Sequence, residues 1–304
     1  MSKLPKKTEE TSFKRKSLWF KNKITPYGFL SPALLILGGV LLFPLIYSFF
    51  LSFHEWNMAS GEAMKFTFLD NYIKLFKSES FWHSVQLQLL FVGISVSIEL
   101  VIGMAVALFL NKDFFADKIV RALLLLPAFI LPVVSGLAFR FMYNPQYGAI
   151  NWFVQKLGFA PIPFLSHPRL AFVAIVIQDI WRMWPFMFMI MYASISTFPK
   201  APYEAAEIAG ASRWQIFKHI TLPLLKPSIV IAVILRVLNA LKAFSEIYVM
   251  TNGGPGNSTT ILSLFIYKNA FDFYDMGFSA SVSYILVIIA LVFSVFLVKR
   301  QFDF

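Results

Sequence analysis

The sequence predicts an all-α integral membrane fold with six transmembrane helices. Three observations carry this prediction. Of the 304 residues, 58% are hydrophobic and 14% charged, against roughly 45–50% and 25% in soluble domains. The apolar residues gather in six long runs, as they do when lipid is the solvent. Lysine and arginine are unevenly divided between alternate connecting segments.

Residues 1–28 form a polar, basic segment with Lys3, Lys6, Lys7, Lys14, Arg15, Lys16, Lys21 and Lys23. Such a segment is mobile or lies on anionic lipid. The apolar run at 29–53 is too long for the core of a signal peptide and lacks a small-x-small cleavage site, so it reads as an uncleaved first span. Five further spans are expected at about 84–110, 119–142, 170–192, 224–250 and 278–298. Each approaches or exceeds the roughly 20 residues that cross about 30 Å of hydrocarbon. Pro127, Pro132 and Pro185 fall inside spans, where neighbouring helices can satisfy the carbonyls they free. Residues 29–298 thus form one six-helix domain, followed by a tail at 299–304.

Six spans place both termini on one side. With the N-terminus inside, the inner segments hold seventeen Lys and Arg residues, and the outer ones hold six: Lys65, Lys74, Lys77, Lys156, Arg169 and Lys268. Beyond the N-terminal segment, the inner set is Lys112, Lys118, Arg121, Lys200, Arg213, Lys218, Lys226, Lys299 and Arg300. This bias puts both termini in the cytoplasm. It also accounts for most of the net charge of +11 without any nucleic-acid partner. Cysteine is absent, which excludes disulfides, a thiol nucleophile and a thiolate metal site.

The longest inner connection, 196–223, is helix-prone and amphipathic. It reads as two short helices joined by a turn. Pro202 suits a first helical position, and Gly210 suits the left-handed end of a helix. Ser212 with Gln215 makes a capping box for the second helix. Trp214, Phe217 and Ile220 recur every third residue on one face, and Pro223 is expected to end the helix. Such a face either lies on lipid or fills a groove in another protein.

Glu204-Ala205-Ala206, Gly210, Ile220 and Leu222-Pro223 resemble the "EAA" loop of binding-protein-dependent ABC importer permeases. The position before Gly210, often Asp in that family, is Ala209 here, which removes one possible contact charge. A second stretch, from Phe244 through Glu246, Tyr248, Thr251, Asn252 and Gly253-Gly254-Pro255-Gly256, resembles the segment after span five in the sugar-importer branch. It is closest to the first of the two permeases in maltose-type and glycerol-phosphate-type importers. Trp181 and Pro185 fit the same branch, and the resemblance runs from about residue 30 to the end.

The resemblance implies the type I ABC importer permease fold in a bacterial inner membrane. It implies a sugar-like solute and three kinds of partner: a second homologous permease, two ATPase subunits and an external solute-binding protein. It implies that Glu204, Ala205, Ala206, Gly210, Ala211, Ser212, Trp214, Phe217, Ile220, Leu222 and Pro223 dock on an ATPase subunit. The chain would hold no cofactor itself, ATP and magnesium being bound by the partner.

Charges inside spans are the other candidates: Glu99, Arg182, Arg236, Lys242 and Glu246. Each would cost roughly 2.5–3.5 kcal/mol at mid-bilayer on insertion scales, so they face the bundle interior or an aqueous path. Lys242 and Glu246, four apart, are placed on one helix face. Two readings remain open. Glu99 pairs with a cation and holds the bundle together, or Arg236, Asn239, Lys242, Glu246, Tyr248, Thr251, Asn252, Gly253 and Gly254 line the path of a hydroxylated, even acidic, solute. The glycine pair is either a contact site or a tight turn.

Other classes find little support. No phosphate-binding loop is present. His54, His83, His167 and His219 lack metal-ligand spacing, and nothing resembles a nucleophilic triad. Asn257-Ser258-Thr259 is a glycosylation sequon with no meaning in a bacterial-type permease. A secondary transporter or channel, which would act without an ATPase and usually carries an inverted repeat, is the alternative; no repeat is visible. A membrane-embedded enzyme lacks the acidic and histidine residues it would need.

Overall fold

The computed structural model describes residues 27, 29–111 and 117–302. The basic residues up to Lys23, and Lys112, lie outside the described residues. Among the described residues five helices are long and apolar enough to span a membrane, six when a bent pair is counted as one span.

α1 (Phe29–Ser52) is exposed along nearly its whole length. It ends in a short antiparallel hairpin, β1 (His54–Glu55) with β2 (Lys65–Phe66), in which His54 faces Phe66. The small helix α2 (Asp70–Lys77) ties this end of α1 down. Its buried Asn71 donates from Nδ2 to Ser52 O at 3.0 Å and His54 O at 2.9 Å, satisfying carbonyls left free where α1 stops. Ser78 then caps α3 (Glu79–Phe109) by accepting from Phe81 N.

α3 and α7 (Pro168–Ile195) form the most extensive helix pair. Their contact depends on Gly103: a Cβ there would sit 2.6 Å from Met187 Cβ and from Phe188 N. Small residues allow such close approach where no hydrophobic force drives helices together. Phe91, Ile175, Met187, Phe188 and Met191 fill the core around this pair.

The third span is not the continuous one expected at 119–142. It is two helices, α4 (Asp117–Phe129) and α5 (Pro132–Met142), meeting at 92°. Proline explains the break. Pro132 has no N–H to donate, and its ring holds Leu131 in an extended conformation with ψ 137°. Pro185, by contrast, is accommodated inside α7 without ending it. A short helix, α6 (Ala149–Lys156), joins α5 to α7.

The expected fifth span at 224–250 is likewise divided. α9 (Arg213–Ala240) ends, residues 241–244 unwind, and α10 (Ser245–Thr251) begins. Side chains take up the freed carbonyls: Gln88 Nε2 donates to Ala240 O at 3.2 Å, and Ser263 Oγ donates to Ala243 O. Lys242 and Glu246 therefore do not share a helix face, because the break falls between them. α10 packs on α5, with Gly136 directly against the Glu246 backbone. The chain then forms α11 (Leu262–Tyr267) and the last span, α12 (Met276–Phe302).

Candidate functional site

Two regions stand out, the connection between α7 and α9 and a set of charges within the bundle. α8 (Ala201–Ile208) follows α7, with Pro202 in its first turn. Gly210 closes the turn at φ +76°, where a side chain would be strained though nothing lies within 4 Å of its absent Cβ. Ser212 opens α9 with a full capping box: Ser212 N donates to Gln215 Oε1 at 2.7 Å, and Gln215 N donates to Ser212 Oγ at 3.3 Å.

Pro223 does not end this helix. A wider π-type turn at Phe217–Thr221 moves the hydrogen-bond register, with Leu222 N donating to Phe217 O, and the helix runs on through the proline. Tyr203 OH donates to Thr221 Oγ1 at 3.3 Å, so α8 is fastened back onto α9. The unit presents apolar side chains outward: Ile208 is 90% exposed and Trp214 68% exposed. Trp214 lies tilted against Phe217, with centroids 5.4 Å apart. A hollow of about 320 Å³ lies between Ala206, Gly210, Ala211, Gln215 and Ile220.

Within the bundle, the charged residues meet. Arg236, with no exposed surface, donates from Nε to Glu99 Oε2 at 2.6 Å and from Nη2 to Glu99 Oε1 at 2.9 Å. Its Nη2 also donates to Asp179 Oδ2. Arg182, one helical turn beyond Asp179, is 3.7 Å from Asp179 Oδ1 and donates to Glu246 Oε1 at 3.3 Å. Four elements, α3, α7, α9 and α10, are thus joined by one buried ionic cluster. Bidentate guanidinium–carboxylate geometry suits such a place, since it satisfies both oxygens together.

These two features occur in a chain whose residues 99–304 match the family described as "Binding-protein-dependent transport system inner membrane component". The chain belongs to this family. As an inner membrane component of a transport system it is a permease subunit. The trehalose/maltose transport system permease protein MalF of Thermococcus litoralis is 36% identical over 273 residues, 90% of this chain and 92% of that one. The sulfoquinovosyl glycerol transport system permease protein SmoG of Agrobacterium fabrum is 35% identical over 257 residues, 84% of this chain and 83% of that one. The fold is that of a crystal structure of a bacterial ABC transporter involved in the import of the acidic polysaccharide alginate. Its TM-score is 0.81 at 24% identity, covering 95% of this chain and 99% of that one.

In this inner membrane component the expected coupling residues, from Glu204 to Pro223, all lie in the α8–α9 unit. The expected path residues divide. Arg236 and Glu246 are buried in ion pairs. Asn239, Lys242, Tyr248 and Asn252 are exposed. Gly253 and Gly254 belong to a compact turn. Thr260 Oγ1 donates to Gly253 O at 3.1 Å, Thr259 Oγ1 to Gly254 O at 3.0 Å, and Thr251 Oγ1 lies 2.7 Å from Thr259 Oγ1.

Asp179 and Arg140 are absent from the residues singled out by sequence. Both are charges inside predicted spans, so the same rule that found Glu99 points to them. The spacing of Asp179 and Arg182, three apart on one helix, is the more specific signal.

Proposed function

We propose that this chain is one of two permeases in an ATP-driven importer that takes up a sugar or oligosaccharide delivered by an external binding protein. Both termini and the α8–α9 unit then lie in the cytoplasm. The outward-facing Ile208 and Trp214, on two helices joined by a left-handed glycine and a capping box, carry this reading. An apolar face beyond the membrane, so exposed on the isolated chain, fits a groove on another protein. The groove is that of an ATPase subunit, which binds ATP and magnesium. The relatives named for trehalose, maltose and sulfoquinovosyl glycerol support a sugar as solute.

The mechanism is a two-state switch. Closure of the ATPases on ATP pulls α8–α9, and because α9 runs unbroken from the cytoplasm to Ala240, the pull reaches the ionic cluster and the break at 241–244. The chain need bind no nucleotide for this; it transmits a difference in binding free energy between two states.

Purification of the tagged chain from its native membrane tests the proposal. An ATPase and a homologous permease are expected to co-purify, and sugar uptake is expected to stop when the ATPase is inactivated. Uptake that continues without any ATPase would overturn the reading in favour of a secondary transporter or channel.

A further inference from the structure

The intramembrane charges divide into a buried, paired set and an exposed set without ion pairs. The carboxylates of the cluster turn inward: Glu99 and Asp179 onto Arg236, and Glu246 onto Arg182, all buried. Two cations of the outer half turn outward. Lys242, in the break before α10, is exposed and forms no ion pair among the described residues. Arg140 of α5 is exposed and donates from Nη1 to Val249 O at 2.9 Å, which sets it beside the far part of α10; it too forms no ion pair among the described residues. A charged side chain facing hydrocarbon is costly, so both look onto water or protein.

Along the chain from Lys242 to Val249, whose carbonyl Arg140 meets, a surface of rings begins. Phe244 stacks on Tyr248 at 5.5 Å, Tyr267 contacts Phe244 at 4.9 Å and Tyr248 at 5.3 Å, and Phe271 contacts Tyr267 at 5.0 Å. Tyr248 and Phe271 are exposed. The Tyr267 phenol is held above its usual range, first by its hydrogen bond with Tyr248, while one carboxylate, Asp272, also acts on it. Asn239 stands exposed one turn before Lys242. Ring faces suit the C–H face of a pyranose, an amide suits its hydroxyls, and two cations suit an anionic substituent.

We infer that the solute is an acidic sugar, one that carries a carboxylate or phosphate group on a pyranose, and that Lys242 and Arg140 bind that group while Tyr248 and Phe271 hold the ring. This rests on the sugar-import reading and adds the charge. The carboxylates of the cluster, Glu99, Asp179 and Glu246, are committed to Arg236 and Arg182, and leave Lys242 and Arg140 without an ion-pair partner among the described residues.

The test uses the intact importer, with its co-purified subunits, in lipid nanodiscs. Equilibrium binding is measured for digalacturonate and glucose 6-phosphate, and for their neutral counterparts galactobiose and glucose. At least one acidic probe should bind at least tenfold more tightly than its counterpart, and which one does so separates carboxylate from phosphate. Lys242→Met and Arg140→Gln should each weaken that binding roughly tenfold, the effect of one charge-assisted hydrogen bond. Lys242→Arg should retain it, and Lys156→Met, in the outer connection, should leave it unchanged. Neutral probes binding as tightly as acidic ones would overturn the inference and leave sugar import standing. Lys242→Met releasing the second permease without changing selectivity would also overturn it, placing Lys242 in a subunit contact. If no sugar probe binds and a non-sugar solute is taken up instead, the underlying sugar reading falls with it.

Discussion

Arg236 holds two carboxylates and has no contact with solvent. Removing one member of such a cluster leaves uncompensated charge in a low-dielectric interior, at about 3–5 kcal/mol. Arg236→Met is therefore predicted to lower the thermal unfolding temperature in detergent sharply. Adding Glu99→Gln should recover part of the loss, since it removes one of the orphaned charges. Glycines make a second contrast at this scale. Gly103→Val is predicted to force α3 from α7 and abolish folded protein, because the new Cβ would meet Met187 and Phe188 at 2.6 Å. Gly93→Ala, with nothing within 4 Å, should leave the yield of folded protein unchanged.

Among elements, the two interrupted spans have different causes. α4 and α5 part because Pro132 cannot continue a helix from Leu131. α9 and α10 part without a proline, at a break held by Gln88 and Ser263 from neighbouring helices. The α8–α9 unit is the third element of interest. Its turn depends on a left-handed Gly210 and on the Ser212–Gln215 capping box. Ser212→Ala is predicted to cost about 0.5–2 kcal/mol of local helix stability, seen as faster amide exchange in residues 213–217. Gly210→Val should weaken ATPase co-purification more strongly, since it strains the turn that sets the angle of α8.

For the whole molecule, the largest consequence is the separation of its surfaces. Ile208→Asp with Trp214→Asp is predicted to release the ATPase while leaving the bundle's unfolding temperature unchanged, because neither side chain packs inside the bundle. Pull-down and a thermal melt together check this. The absence of cysteine makes orientation directly measurable. A cysteine placed at Glu207 should react with an impermeant maleimide only from the cytoplasmic side, and one placed at Lys156 only from the outer side. The reverse pattern would invert the proposed topology.

Composition and the spacing of apolar runs were enough to establish a helical membrane protein with about six crossings, because hydrocarbon imposes its thickness on every span alike. The α8–α9 unit was legible nearly residue by residue, since Pro202, Gly210 and the capping box act within a few positions of one another along the chain. The interrupted spans and the fate of each charge were not. Whether Pro185 is absorbed while Pro132 breaks a helix depends on which neighbours supply hydrogen bonds. Whether an intramembrane cation is spent on a carboxylate depends on which helices meet. Arg236 finds Glu99 and Asp179 across residues 137 and 57 positions away, a pairing that only the packed bundle decides.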